Sequence, residues 1–547
     1  MHQAAYLIAL FALGSQLLAL VRDRLLAGTF GAGHDLDLYY AAFRLPDLLF
    51  ATVASLLSLY ALLPVLSRME AEDASRVRSL LEHMLVYFFA AMAVVSGIAF
   101  VLAPQLLNLL VPGIAASSSA DALVLLTRIL LLQPILLGAS NILANLTQLR
   151  NRFLLYSVSP LLYNLGIIAG IVWLYPTMGL RGVVWGVVFG AAMHLAIQIP
   201  FFVAERGGVR VSWRESWVAL WQVLTLSVPR TLSLSANQIS LAVLVALASF
   251  LAAGSIAIFT LAWNLAAVPL TIIGVSYSVA AFPTLARLFA GGDHSTFVKH
   301  LETALRHIVF WAVPATVFII VLRAQLVRAI LGSGEFDWNA TRLTAAALAL
   351  IIVSLVAQAV SLLIARGYYA AGDSKKPFFF GLIDVAVSVV SAIILVSAFH
   401  TSQFWRYFLE AALRVSDIPG TTVLMLALAL TLGSLARFIV GWLYIKRDFK
   451  LKPALAKLIF QTFSASVIGA AVAYWVLAVV GSHIDINTTL GVVFQGAVAG
   501  ILGLIVTGIM LWLLGNQEIR EMVALVRRRV VPEPIPVIIE PTDVQSS

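Results

Sequence analysis

Fourteen long apolar runs, separated by polar residues or Gly/Pro breaks, limit what this chain can become. They cover roughly 3–28, 36–64, 79–103, 120–147, 153–175, 180–204, 222–250, 254–284, 299–322, 341–365, 377–399, 419–445, 456–481 and 488–515. An α-helix needs about 20 apolar residues to cross hydrocarbon. The runs are continuous rather than alternating, which argues against a porin-type barrel. In lipid each span must satisfy its own backbone hydrogen bonds, and a helix does so. Of the 547 residues, 61% are hydrophobic and 11% charged, which excludes a water-soluble enzyme of this size and a disordered chain. The expected fold is therefore all-α, a polytopic membrane protein of about fourteen transmembrane helices.

The first run, Ala4 to Val21, follows no basic segment and leads into Arg22-Asp23-Arg24, so it reads as a membrane helix rather than a cleaved signal. The chain has no cysteine, which excludes disulfides, thiolate metal sites and cysteine nucleophiles. Alternate loops differ sharply in basic charge. One set with the C-terminal tail carries 22 Lys and Arg residues and the other carries 8, counting Arg22 and Arg24. The positive-inside rule then places both termini in the cytoplasm, and the net charge of +9 needs no nucleic acid to explain it.

Two segments lie outside the spans. Ser402 to Val415 carries Phe404, Trp405, Phe408, Leu409, Ala412 and Leu413 on roughly one side and reads as an amphipathic helix on the outer surface. The tail from Asn516 begins as a charged helix and ends in a proline-rich stretch that forbids one. A weak repeat is also visible: Gln16, Gly31 and Pro46 recur as Gln238, Gly254 and Pro269, offset by 222–223 residues. Each set falls on the first two helices of a six-helix block, as a parallel repeat would place it.

Charged groups inside a membrane are costly and usually face a cavity or a partner. Arg22 reads either as an interfacial, snorkelling side chain or as a ligand for an anion. A guanidinium suits phosphate because its planar fork donates paired hydrogen bonds and stays charged. Asp35 and Asp37 read as acids at the start of the second helix, with Asp37 alternatively pairing with Arg22 or Arg24. Arg44 and Asp47 are three apart and share a face, beside Pro46, which should kink the helix. Pro229-Arg230 repeats that pattern in the seventh helix, followed by Asn237 and Gln238, with Asn264 in the eighth. These amides read either as interhelical glue or as cavity groups. Asp384, with Ser388, reads either as a protonated buried acid or as a proton or cation site. The spacings Gly182-xxx-Gly186-xxx-Gly190 and Gly496-xxx-Gly500 read as packing faces. No nucleotide loop or zinc spacing is present, so a single-chain ATP-driven pump is not expected.

The run Arg22-Asp-Arg-Leu-Leu-Ala-Gly-Thr-Phe-Gly-Ala-Gly-His-Asp-Leu-Asp-Leu-Tyr-Tyr-Ala-Ala-Phe-Arg-Leu-Pro-Asp47 resembles the amino-terminal signature of the MurJ (MviN) lipid II flippases, within the multidrug/oligosaccharidyl-lipid/polysaccharide exporter superfamily. Asn151-Arg152-Phe153 with Pro160 and Asn164, Asn237-Gln-Ile-Ser240, Val268-Pro269 through Arg287, and Gly367 through Pro377 are similar to it too. The likeness runs to about residue 515.

The resemblance implies two six-helix lobes around a central cationic cavity, 1–210 and 211–450. Helices 13 and 14 (451–515) would form a lipid-tail groove, and 516–547 a cytoplasmic tail. It implies a flippase that carries an undecaprenyl-pyrophosphate-linked peptidoglycan precursor between leaflets of the bacterial cytoplasmic membrane, not an enzyme. Arg22 matches an essential cavity arginine, Ala27 a nearby small position and Asp37 an acid of the second helix. The candidate substrate set is Arg22, Ala27, Asp37, Arg44, Arg230 and Asn264. The expected partners are the lipid-linked substrate and membrane lipids, with cell-wall synthesis proteins a further class, and no nucleic acid. No cofactor is expected; coupling to Na+, H+ or membrane potential stays open. The chain also departs from the pattern. Gln16, Phe50-Ala51, Ser55-Leu56 and Trp263-Asn264 stand where the family carries arginines and acids. The alternatives are an exporter of another polyprenyl-linked glycan or a small molecule, and a non-transporting membrane scaffold.

Overall fold

The computed structural model describes residues 2–53, 59–73, 76–150, 152–205, 211–451, 455–484 and 488–521. Side chains of 2–9, 59–61, 63–64, 71, 153 and 226–237 lie outside that description. Among the described residues all regular structure is helical. Ten stretches are long and apolar enough to cross a membrane, and an eleventh is a pair, Trp338–Ile352 and Leu355–Ala370, bent by 45°. These match the expected spans 3–6 and 8–14. The other three expected spans fall on His2–Phe30, on the broken set His34–Ala42, Arg44–Thr52 and Leu59–Asp73, and on Trp213–Ala248. Each of these includes or adjoins residues outside the description, so ten or eleven candidate spans are counted among the described residues, short of the expected fourteen.

The first helix runs unbroken through Arg22-Asp23-Arg24. The second expected span does break, at Phe43, three residues before Pro46, whose nitrogen has no hydrogen to offer the Ala42 carbonyl. Pro269 marks a second distortion, a π-helical turn over Leu270–Val275 that divides Ser255–Ala290. Gly31 and Gly254, equivalent in the repeat, both take left-handed backbone, with φ of +62° and +90°. Two of the three repeated positions thus behave alike.

Small residues set the closest packing. The first helix lies against Phe153–Ala169, which lies against Leu180–Ala196. A Cβ on Gly166 would collide with Gly190, and one on Gly170 would stand 2.6 Å from the Gly186 Cα. The expected Gly182/Gly186/Gly190 face is therefore where these helices meet. The expected Gly496/Gly500 face packs on Gln325 and Leu322, with a Cβ at 3.0 and 3.2 Å. The tight approach between Leu455–Gly481 and Thr489–Leu513 runs instead through Gly469 and Gly503. This last pair leans on His294–Val321 and Arg323–Leu331. The amphipathic segment forms Gln403–Leu413, capped by Ser402, whose Oγ accepts from the Trp405 N–H at 3.3 Å. At the start of the tail, Glu518 receives Arg306 at 2.6 Å, and Gln461 accepts from Asn516, tying residues 516–518 to the helices.

Candidate functional site

One polar chain crosses the helices near the Phe30 end of the first helix. Arg22 donates from Nε and Nη2 to Asp23 Oδ1 at 3.0 and 2.8 Å, and from Nη1 to Asn164 Oδ1 at 3.1 Å. Asn164 in turn donates to Ser15 Oγ at 3.4 Å and to the Pro160 carbonyl at 3.1 Å. The second Asp23 oxygen accepts from Asn264 Nδ2 at 3.1 Å. Thus Arg22 faces protein rather than acyl chains, and Asn264 joins it through Asp23. Where the resemblance places a charged pair, a neutral amide makes this contact.

A guanidinium has five N–H donors, and these contacts leave two uncommitted, one on each Nη. The Arg22 side chain keeps 21% of its exposure while Asp23 keeps 4%. The pair is therefore a cation fixed by a buried acid, with donors left for an anionic ligand. Arg44 is half-buried and its Nε has no hydrogen-bond partner. Among the described residues no ion pair joins it to Asp47. Arg230 lies on Trp213–Ala248, but its side chain falls outside the described residues.

The structure gives Asp37 and Arg24 other work. Asp37 does not pair with Arg22 or Arg24. Its two oxygens accept from the Gly254 and Ala257 N–H groups at 2.6 and 2.7 Å, at the start of Ser255–Pro269. A carboxylate there satisfies orphan donors and meets the positive end of the helix dipole. Arg24 donates to the carbonyls of Ala329, Ile330 and Gly332, at the end of Arg323–Leu331, the complementary arrangement. Nearby, the Gly113 N–H donates to Ser249 Oγ at 3.0 Å, and the Glu335 N–H to the Gly28 carbonyl at 2.9 Å. Ala27 is fully buried beside this seam and offers no surface to a ligand in this state. Residues 24–113 and 249–335 are therefore joined at this end, mostly side chain to backbone, with one backbone–backbone bond from Glu335 to Gly28.

Asp384 and Ser388 do come together: Ser388 Oγ donates to Asp384 Oδ1 at 3.3 Å. A third group completes the cluster. Arg437 on the facing helix Val423–Asp448 stands 3.7 Å from Asp384 Oδ2. The sequence reading missed Arg437, although a lone charged residue inside an apolar run is the same signal that singled out Asp384. Likewise Asp23 and Asn164 were visible but not placed beside Arg22. No group of three or more metal-ligating side chains occurs among the described residues. Gly433 is the small residue that lets the helices approach here, since a Cβ would collide with Ser388 Oγ and lie 2.6 Å from Asp384 Oδ1. Gly433→Ala should lower stability by about 1–3 kcal/mol, as overpacking does, read as a lower thermal midpoint in detergent. Adding Ser388→Ala should recover part of the loss. An unchanged midpoint for the single variant would show the cluster to be loosely packed.

Comparison with known proteins supplies the family. The sequence profile described as "Lipid II flippase MurJ" matches residues 26–495. The lipid II flippase MurJ of Burkholderia cenocepacia is 24% identical over 453 residues, covering 81% of this chain and 86% of that protein. The probable lipid II flippase MurJ of Thermotoga maritima is 24% identical over 540 residues, 95% of this chain and 98% of that one. Among solved structures, a lipid II flippase MurJ in an inward closed conformation superposes with a TM-score of 0.73 at 19% identity, covering 95% of this chain and 100% of its own. An inward-facing multidrug transporter of the MATE family and MOP superfamily gives 0.64 at 16% identity, over 80% and 94%. The profile match spans most of the chain, and this multi-pass membrane protein belongs to the lipid II flippase MurJ family.

Proposed function

We propose that this chain carries lipid II, an undecaprenyl-pyrophosphate-linked peptidoglycan precursor, from the inner to the outer leaflet by alternating access. The observation that carries the reading is Arg22: a cation fixed by buried Asp23, tied through Asn264 to the second half of the chain, and still holding uncommitted donors. Pyrophosphate is a ligand such a group recognises. Arg44, whose Nε is unpartnered, is a second donor, and Arg230 a third candidate.

In this reading residues 1–210 and 211–450 form two lobes that rock about the site, 451–515 guides the prenyl tail, and 516–547 is a cytoplasmic tail. The positive-inside count puts both termini in the cytoplasm and the Phe30 end outside. The seam made by Asp37, Arg24 and Gly113 then closes the outer side, and the cargo enters from the inner one. Ala27 and Asp37 act at this seam rather than on the cargo. No bond of the cargo is made or broken. The cargo or an ion shifts the balance between the two states only as far as it binds them differently. Membrane potential supplies about 2.3 kcal/mol per elementary charge per 100 mV. Because Asp384 already faces Arg437, we read that cluster as a packing element, with a proton or cation site as the competing reading.

The test is translocation of labelled lipid II in proteoliposomes, together with depletion in the native cell. Accumulation of lipid II on depletion and protein-dependent movement in vesicles are expected. Accumulation of a different polyprenyl-linked precursor would assign another cargo, and absence of movement in vesicles would leave a scaffold.

A further inference from the structure

A second cationic site lies away from the Arg22 chain. A cavity of about 690 Å³ opens where the end of His294–Val321, the starts of Arg323–Leu331 and Trp338–Ile352, the end of Gln403–Leu413 and the last third of Leu455–Gly481 converge. Three guanidiniums line it, from Arg323, Arg342 and Arg414. Arg342 is committed: it holds Asp417 at 2.6 and 2.7 Å, and that hydrogen-bonded pair keeps the Asp417 carboxyl below the usual carboxylate range. Arg323 and Arg414 have no carboxylate partner among the described residues. Arg323 donates to the Ile320 carbonyl at 2.8 Å and Arg414 to the Tyr474 hydroxyl at 3.1 Å, and among the described residues most of their donors are unused. Burial, and then the like charge of Arg414, pull the Arg323 guanidinium below its ordinary value. Two facing cations with no acid paired to either among the described residues repel each other until an anion sits between them.

The backbone adds a separate observation. Arg414 ends its helix with φ +60° and ψ +45°, a left-handed conformation that glycine adopts freely and a side chain does not. An arginine held there, with its side chain on the cavity, points to a use for the guanidinium.

We propose that this cavity binds the phosphate of a lipid in the outer leaflet, with Arg323 and Arg414 as the phosphate ligands. The surroundings favour a lipid over a soluble anion. Ile320, Val321, Leu477 and Ala478 make the wall apolar. Beside it Gln403–Leu413 exposes Phe404, Tyr407 and Phe408, and Leu455–Gly481 exposes Tyr474 and Trp475. Such aromatic residues sit at headgroup level, which sets the two arginines at phosphate depth and the apolar wall at acyl depth. The site depends on the outward orientation of this end but not on the identity of the transported cargo.

Native mass spectrometry of the full chain, titrated in detergent with phosphatidylglycerol, tests the assignment. The comparison is with Arg323→Gln/Arg414→Gly, where the glycine suits the left-handed position and so protects the fold. The double variant is expected to bind phosphatidylglycerol at least tenfold more weakly, and Arg323→Lys, which keeps a charge, only a few-fold more weakly. Diacylglycerol, which lacks the phosphate, and inorganic pyrophosphate at equal concentration should not displace the lipid. Binding by the double variant within twofold of the parent would overturn the site. Displacement by diacylglycerol would show that phosphate is not read, and displacement by pyrophosphate would make it a soluble-anion site; either result overturns the proposal. If the double variant does not fold, Arg414→Gly alone should still weaken binding several-fold, and no weakening would overturn it.

Discussion

Arg22→Lys should reduce lipid II movement in proteoliposomes by at least about 100-fold, equivalent to roughly 2.7 kcal/mol, while the protein stays folded. Lysine keeps a positive charge near Asp23, so the buried acid is not stranded, but it replaces a planar fork with a point charge. It cannot hold Asp23 through two nitrogens, reach Asn164 and still present donors to a pyrophosphate. Alanine is the poorer test. It would leave Asp23, 3% exposed, with only the Asn264 amide, and removing one partner of a buried pair costs about 3–5 kcal/mol. Lost transport in Arg22→Ala would then mix chemistry with unfolding. Arg22→Met/Asp23→Asn removes both charges and should be folded yet inactive. Movement by Arg22→Lys within threefold of the parent would remove the bidentate argument, and movement by the double variant would remove Arg22 from the mechanism.

The second large effect is expected at the seam. Asp37→Ala removes the acceptor for two N–H groups at the start of Ser255–Pro269. Loss of a helix cap costs about 0.5–2 kcal/mol, and loss of a charge on the dipole adds up to about 2 kcal/mol in a partly buried setting. A shift of about 3 kcal/mol between closed and open seams changes their ratio by more than 100-fold. Because the chain has no cysteine, two can be added without background. Spin labels on Ala116→Cys and Phe250→Cys, both exposed and flanking the Gly113–Ser249 contact, should report one short distance in the parent. A longer population should dominate in Asp37→Ala. Asp37→Asn, which keeps an acceptor oxygen, should fall between them. An unchanged distance in Asp37→Ala would mean that the carboxylate caps the helix without holding the halves together.

Gly254 shows why that joint is hard to replace. It sits at φ +90°, and a Cβ on it would collide with the Ala32 carbonyl, so strain and contact both act on one position. The sequence marked Gly254 only as a repeat of Gly31; that it faces Asp37 follows from the chain folding back across a separation of 217 positions. The same holds at the charged cluster. The rule that membrane charges need partners picked out Arg22 and Asp384, yet Arg22 met its own neighbour Asp23 and Asp384 met Arg437, which was never weighed. Arg24, two positions from Arg22, entered the sequence reading only as an alternative partner for Asp37. Two positions along a helix turn a side chain by about 200°, and Arg24 therefore points to a different helix end.

The sequence alone determined that this is a bundle of membrane-crossing helices, that the second expected span breaks near Pro46, and that the Gly182/Gly186/Gly190 face packs closely. Those properties depend on local hydrophobicity, backbone hydrogen bonding and side-chain size, which are written position by position. Only the tertiary structure decided which charge serves which purpose. Arg22 keeps donors for a ligand, Arg24 and Asp37 are spent on helix ends, and Arg323 and Arg414 share a cavity with no carboxylate partner of their own among the described residues. Partner choice among charges depends on distance in space between segments far apart in the chain, and hydropathy carries no record of that distance.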